Sequence, residues 1–395
     1  MLRSLRVVIL ASCSCGGYLA PPSPLSAGGD TGEAPSPGRV LLDAGRAQDA
    51  SDASTVDLGS PPPADGELDL DAGYLDINVG SGAPSLRDRV CSEPSYPALT
   101  LPGPAELVAD SYGVEGRAFD FLEGPVWLTE LGLLLFSDLV TSGSLAADEL
   151  GPPTIIHALH ASTGRLEVFS ASGQVRSNGL AVDEMGRVVA ATHDVRGVSR
   201  LDPQSAARAV LVDRFEGRRF NTTNDLVVAS NGTIYFTDPA YNGQLDGRER
   251  ELDKEGVYRW RPDGSLERLA HGRRPNGITL SPDEGWLYFS ERDARTFWRL
   301  SLHSDGSVGA PEVLMQGRDA AADGVTMDCA GNLYLAVPER GVVVFGPDGE
   351  RIGRVSGASG VTNVAFGGED HRTLYITERR ALKQVRAWPI PGLPY

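Results

Sequence analysis

A chain of 395 residues with 53 acidic and 36 basic side chains carries a formal charge of -17 and can bury one large core or two average ones. Such a surface repels phosphate backbones and excludes nucleic acid as a partner. Its four cysteines, Cys13, Cys15, Cys91 and Cys329, are not spaced like a zinc site.

In chain order, Met1-Leu2-Arg3-Ser4-Leu5-Arg6 is a basic start, Val7 to Leu10 a short apolar stretch, and Ala11-Ser12-Cys13 a small-residue junction. This is the pattern of an export signal over residues 1–12. It falls far below the ~20 apolar residues of a membrane-spanning helix. Leu10-Ala11-Ser12-Cys13 resembles a bacterial lipobox, which would make Cys13 a lipid anchor at the cell envelope. The alternative is an ordinary signal cleaved elsewhere, leaving a secreted or periplasmic protein. Export would permit a Cys91–Cys329 disulfide, a buried free thiol at Cys329 being the other reading.

Residues 13–90 read as a disordered linker, rich in Pro, Gly, Ala, Ser and Asp, with twelve Asp or Glu against four Arg between Gly16 and Val90. That composition cannot bury enough apolar surface to offset chain entropy. Within it, Asp65-Gly66-Glu67-Leu68-Asp69-Leu70-Asp71 has its glycine misplaced for an EF-hand and lacks the closing glutamate, so it reads as solvated tether.

Residues 91–395 change character. Short apolar and aromatic runs recur, such as Leu133-Leu134-Leu135-Phe136-Ser137, Thr233-Ile234-Tyr235-Phe236-Thr237 and Trp286-Leu287-Tyr288-Phe289-Ser290, each bounded by Gly, Asp, Asn or Pro. They predict an all-β domain. Each run belongs to a unit that opens on a polar motif: Glu123-Gly124-Pro125, Asn178-Gly179-Leu180, Asn224-Asp225-Leu226, Asn276-Gly277-Ile278, Asp323-Gly324-Val325 and Thr362-Asn363-Val364. Glu123, Asn178, Asn224, Asn276, Asp323 and Asn363 are 55, 46, 52, 47 and 40 residues apart. Six units of that period, with about four strands each, predict a six-bladed β-propeller. The longest interval holds a loop from Thr141 to Pro153, and residues 91–122 are placed to supply an outer strand that closes the ring.

The innermost strand of each propeller blade lines a central channel, so the openings should gather Glu123, Asn178, Asn224, Asn276 and Asp323 at one mouth. Asn-Gly and Asp-Gly are also common turn dipeptides, and any one of them read singly is a turn. The series as a whole is a ring of oxygen donors without His or Cys, which suits the hard cation Ca²⁺. Oxygen ligands also admit Zn²⁺, Mg²⁺ or Mn²⁺.

Together, Glu123-Gly124-Pro125-Val126-Trp127, Arg176-Ser177-Asn178-Gly179-Leu180, Asn224-Asp225-Leu226 with Tyr235-Phe236-Thr237-Asp238-Pro239, Arg274-Pro275-Asn276-Gly277-Ile278 and Asp323-Gly324 resemble the gluconolactonase, regucalcin and luciferin-regenerating enzyme family. The resemblance implies calcium-dependent lactone hydrolysis, with metal ligands Glu123, Asn224, Asn276 and Asp323. A metal-ligand carboxylate sits beside both water and carbonyl, which makes Asp323 the expected general base, with Asn178 and Asn224 as substrate-binding groups. His193 resembles a pocket histidine of bacterial relatives, against a surface or strand-end role. Tyr241 and Glu291 are weaker rim candidates, and Asp238 reads as structural. Animal members carry an Arg where this chain has Thr222, so the substrate need not be a simple aldonolactone. Two other readings remain: a phosphotriesterase of the diisopropylfluorophosphatase type, and a non-catalytic surface propeller. The partner expected is a small-molecule lactone, with the protein a monomer or dimer.

Overall fold

The computed structural model describes residues 84–140, 153–170, 175–203, 207–241 and 249–394. The export signal, Cys13, Cys15, most of the linker and most of the Thr141 to Pro153 loop lie outside the described residues. Six four-stranded antiparallel sheets follow one another along the chain. Their innermost strands are Leu122–Leu128, Ser177–Val182, Leu226–Val228, Pro275–Leu280, Val325–Met327 and Val361–Gly367. Each of these packs on the innermost strand of the next blade, and the sixth packs on the first, so the sheets form a closed ring. Every residue in those six strands is buried.

Alternation explains how so many strands share one core. Facing sheets interdigitate inward side chains, and each blade-to-blade seam is its own apolar cluster. Between blades five and six, Tyr334, Phe366 and Trp388 meet edge to face with centroids 5.0 to 6.1 Å apart. Each such aromatic pair adds about 0.5–1.5 kcal/mol beyond its buried area.

Closure comes from the N-terminal side, as the sequence predicts. Glu106–Ala109 pairs antiparallel with Ala381–Val385 and becomes the outermost strand of blade six. A second fastening is the Cys91–Cys329 disulfide, which joins residues 238 apart in sequence across a Cα separation of 5.3 Å. Cys329 sits in the turn after the inner strand of blade five, at the end of the blade opposite Asp323. Within the stretch read as linker, Leu86–Val90 forms a single helical turn capped by the Ser85 hydroxyl. Its Leu86 N–H donates to Glu184 Oε2 at 2.9 Å.

A cross-link of this kind stabilises by about 2–4 kcal/mol, chiefly by restricting the unfolded chain. Cys91→Ser with Cys329→Ser is therefore expected to lower Tm by roughly 5–10 °C in a differential scanning measurement. Dithiothreitol should lower the Tm of the parent protein and leave the double variant unmoved.

Candidate active site

All the motif openings project from the start of an inner strand, which places them at one mouth of the channel. Glu123, Asn178, Asn224, Asn276 and Asp323 are each at least nine-tenths buried there. Asn178-Gly179 and Asn276-Gly277 lie inside strands Ser177–Val182 and Pro275–Leu280, so neither is a hairpin turn. The glycines serve close approach between blades. Gly179 N–H donates to Asn224 O (2.8 Å), Gly277 N–H to Asp323 O (2.6 Å) and Gly324 N–H to Thr362 O (2.8 Å). A Cβ at Gly277 would stand 2.4 Å from Asp323 O, inside any tolerable contact.

This stitching fixes where the side chains of the openings point. Asn276 Nδ2 donates to Asp323 Oδ1 at 2.7 Å and to Tyr241 Oη at 2.8 Å. With both amide hydrogens committed, Asn276 Oδ1 is the atom that keeps lone pairs for a cation. Arg292 Nη1 donates to Asp323 Oδ2 at 3.2 Å. Asn363 Nδ2 donates to Glu123 Oε2 at 3.3 Å and also reaches the Asp225 carboxyl. Two residues that the sequence reading placed in the blade openings but not among the site groups thus enter the site. Asp225 and Asn363 occupy, in blades three and six, the slot that is glycine in the other four blades. Shifting the motif alignment by one position shows this in the sequence itself.

The electrostatics are those of crowded anions. Burial pushes the Glu123 carboxyl well up, and the charges of Asp323 and Asp225 push it further. Burial raises Asp225 to about 7. Asp323 is raised by burial, while Arg292 and the Asn276 hydrogen bond pull it back down. Three carboxylates therefore share a dry space with one arginine bonded to one of them. Among the described residues, no group of three or more His, Cys, Asp and Glu is arranged to hold a metal. A cation here would depend on the amide oxygens of Asn224 and Asn276 beside Glu123 and Asp323. An oxygen set of two carboxylates and two amides fits a divalent cation in charge and hardness.

The remaining candidates divide. His193 is fully buried, and its N–H donates to Arg176 O at 2.8 Å, at the same end of blade two as Asn178. A surface role is excluded. Tyr241 touches Asn276 and belongs to the site. Glu291 is structural: its two oxygens accept from Arg273 N at 2.8 Å and Trp298 Nε1 at 2.7 Å. Asp238 is structural as expected, accepting from Asn221 N (2.9 Å) and Asn221 Nδ2 (2.8 Å), which anchors the segment leading to Asn224. Thr222 is fully buried and donates its hydroxyl to Pro239 O at 2.6 Å. Arg292 was not foreseen, because its partner lies 31 residues away in the next blade.

Residues 121–380 match the family described as SMP-30/gluconolactonase/LRE-like region. A gluconolactonase of Zymomonas mobilis is 35% identical over 306 residues, 73% of this chain and 82% of that protein. A pentonolactonase of Haloferax volcanii is 29% identical over 265 residues, 65% of this chain and 80% of that protein. Among solved structures, a gluconolactonase of Xanthomonas campestris superposes with a TM-score of 0.62 at 28% identity, covering 75% of this chain and 95% of that one.

Proposed function

The chain belongs to the SMP-30/gluconolactonase/LRE-like family, and from that premise we propose that it is a divalent-metal-dependent lactone hydrolase, with calcium the leading metal. The observation that carries this reading is the convergence of Asn276 and Asp323, from adjacent blades, on one buried hydrogen bond of 2.7 Å beside Glu123. Glu123, Asn224, Asn276 and Asp323 would hold the cation. Bound there, it would supply Lewis acidity toward the lactone carbonyl and offset the crowded negative charge.

The chain's own residues account for the proton. Asp323, raised by burial yet kept ionisable by Arg292, takes a proton from the attacking water as its oxygen adds to the carbonyl carbon. The ring C–O bond then breaks, and the same proton passes to the departing alkoxide, giving the open hydroxy acid. Asn178 and Asn224 orient the ring hydroxyls. Burial of the channel mouth excludes bulk water, which strengthens each of these contacts.

The family relatives favour lactones over fluorophosphates as the first panel to assay. The N-terminal export pattern supports a site of action outside the cytoplasm, and a disulfide that persists in oxidising compartments agrees with it. Dialysis against EDTA is expected to lower gluconolactone hydrolysis, followed by pH-stat titration, by about 100-fold or more, with recovery on adding Ca²⁺. Full activity after chelation would remove the metal from the mechanism. A wild-type protein inert toward every lactone would favour a binding propeller.

A further inference from the structure

The protein is strongly acidic, yet a cluster of arginines lies beside the carboxylates of its channel mouth. Beside the site lies a cavity of about 550 Å³ lined by Tyr241, Arg273, Arg274, Arg292 and Arg295 with Asp293 and Glu339. It lies within the range of about 300–1,000 Å³ typical of small-molecule sites. It adjoins a second cavity of about 270 Å³ that shares Arg295 and Glu339 and adds Arg318 and Arg340. Six arginines thus face two carboxylates in a chain whose net charge is -17.

The pairing of these arginines matters more than their number. Arg274 is taken up by Asp293 at 3.2 Å, and Arg340 by Asp319. Arg292 holds Asp323. The guanidinium groups of Arg273, Arg295 and Arg318 make no ion pair among the described residues, and all three are exposed. Glu291 accepts from the Arg273 backbone N–H and from Trp298 Nε1. Like charges held together around a concavity repel one another, and the concavity focuses their field on whatever enters it.

The cavity is joined to the reacting centre at two points. Tyr241 Oη accepts from Asn276 Nδ2, and Arg292 donates to the proposed base Asp323. A ring ester seated at Asp323 would therefore extend its far substituent toward Arg273 and Arg295. A neutral polyol has no use for unpaired guanidinium groups. A carboxylate, phosphate or sulfonate does, because a guanidinium fork matches its oxygens two at a time.

We propose that the preferred substrate is an anionic lactone, whose negatively charged substituent remote from the ring ester is received by Arg273 and Arg295 in this cavity. The proposal rests on the lactone-hydrolase reading above and narrows it to a substrate class.

The test compares kcat/KM for δ-gluconolactone, for its terminal phosphate ester and for the matching lactone whose terminal carbon is a carboxylate. The anionic pair is expected to exceed the neutral lactone by about tenfold or more, and Arg273→Gln with Arg295→Gln should cut that ratio by about the same factor. Addition of about 0.5 M NaCl, where the Debye length is roughly 4 Å, should lower the ratio in the parent protein, a readout that needs no variant. Equal rates on charged and neutral lactones, or a ratio indifferent to salt and to both substitutions, would overturn the anion subsite and leave the hydrolase standing. Hydrolysis of none of the three would overturn both.

Discussion

Asp323→Asn should abolish lactone hydrolysis while leaving the fold as stable as before or more so. The substitution keeps the shape of the side chain and its capacity to accept from Asn276 Nδ2, now at 2.7 Å. It removes the proton acceptor and one of the two carboxylates that would neutralise a dication. A loss of at least about 1,000-fold in kcat/KM is expected, which corresponds to about 4 kcal/mol of transition-state stabilisation. Stability should move the other way. Asp323 is buried and raises the carboxyl of Glu123, so deleting its charge relieves both desolvation and repulsion. Arg292 loses its partner, but its side chain is 35% exposed and can turn to water. In EDTA the variant should therefore melt at or above the wild-type temperature. Calcium should raise the wild-type Tm through mass action and leave the variant unmoved. A variant with activity within about tenfold of wild type would remove Asp323 from the chemistry. A variant that melts much earlier would recast it as a structural residue.

The architecture was legible because a propeller writes its period into the chain. Six polar openings at regular intervals needed no knowledge of neighbouring strands, and the leftover segment ahead of Glu123 had one evident use, the outer strand now seen at Glu106–Ala109. The disulfide was only half legible. Cys91 and Cys329 were the pair that export left available, but their approach depends on how the ring closes. The convergence of Glu123, Asn276 and Asp323 was legible because it rests on the motif slot itself. The site was obscure where contacts cross from blade to blade. Nothing local marks Arg292 as the partner of Asp323, since twist and stagger of two blades decide that contact. The Asn-Gly pairs, read singly, were ambiguous for a related reason. Turn chemistry and close packing both call for glycine, and local sequence cannot separate them. Asp225 was read only as part of its motif, and Asn363 was read as the opening residue of blade six, a slot that the inner strand Val361–Gly367 gives to Thr362.

Close packing and turn chemistry make opposite forecasts for Gly277→Ala. Gly277 is not among the residues with positive φ, so a methyl group meets no backbone strain there. A turn glycine of that conformation would tolerate alanine, or gain a little stability from a less flexible unfolded chain. The blade seam does not allow it. The new Cβ would lie 2.4 Å from Asp323 O, 2.8 Å from Gly324 C and 2.9 Å from Val325 N. All three are backbone atoms at the buried edge of blade five, with no rotamer by which to withdraw. Blade four must shift outward, and the 2.6 Å bond from Gly277 N–H to Asp323 O must lengthen or break. Overpacking of this kind costs about 1–3 kcal/mol, and a lost buried hydrogen bond adds about 1 kcal/mol. A fall in Tm of roughly 4–10 °C should follow. The effect on rate should be larger than stability alone explains, because the shift falls between Asn276 and Asp323 themselves. Displacing reacting groups by about 1 Å can cost about 100-fold. Gly103→Ala is the control, since its Cβ would meet nothing within 4 Å. If Gly277→Ala and Gly103→Ala share the wild-type Tm and turnover, the seam between blades four and five is looser than these distances require, and the ligand ring cannot owe its geometry to it.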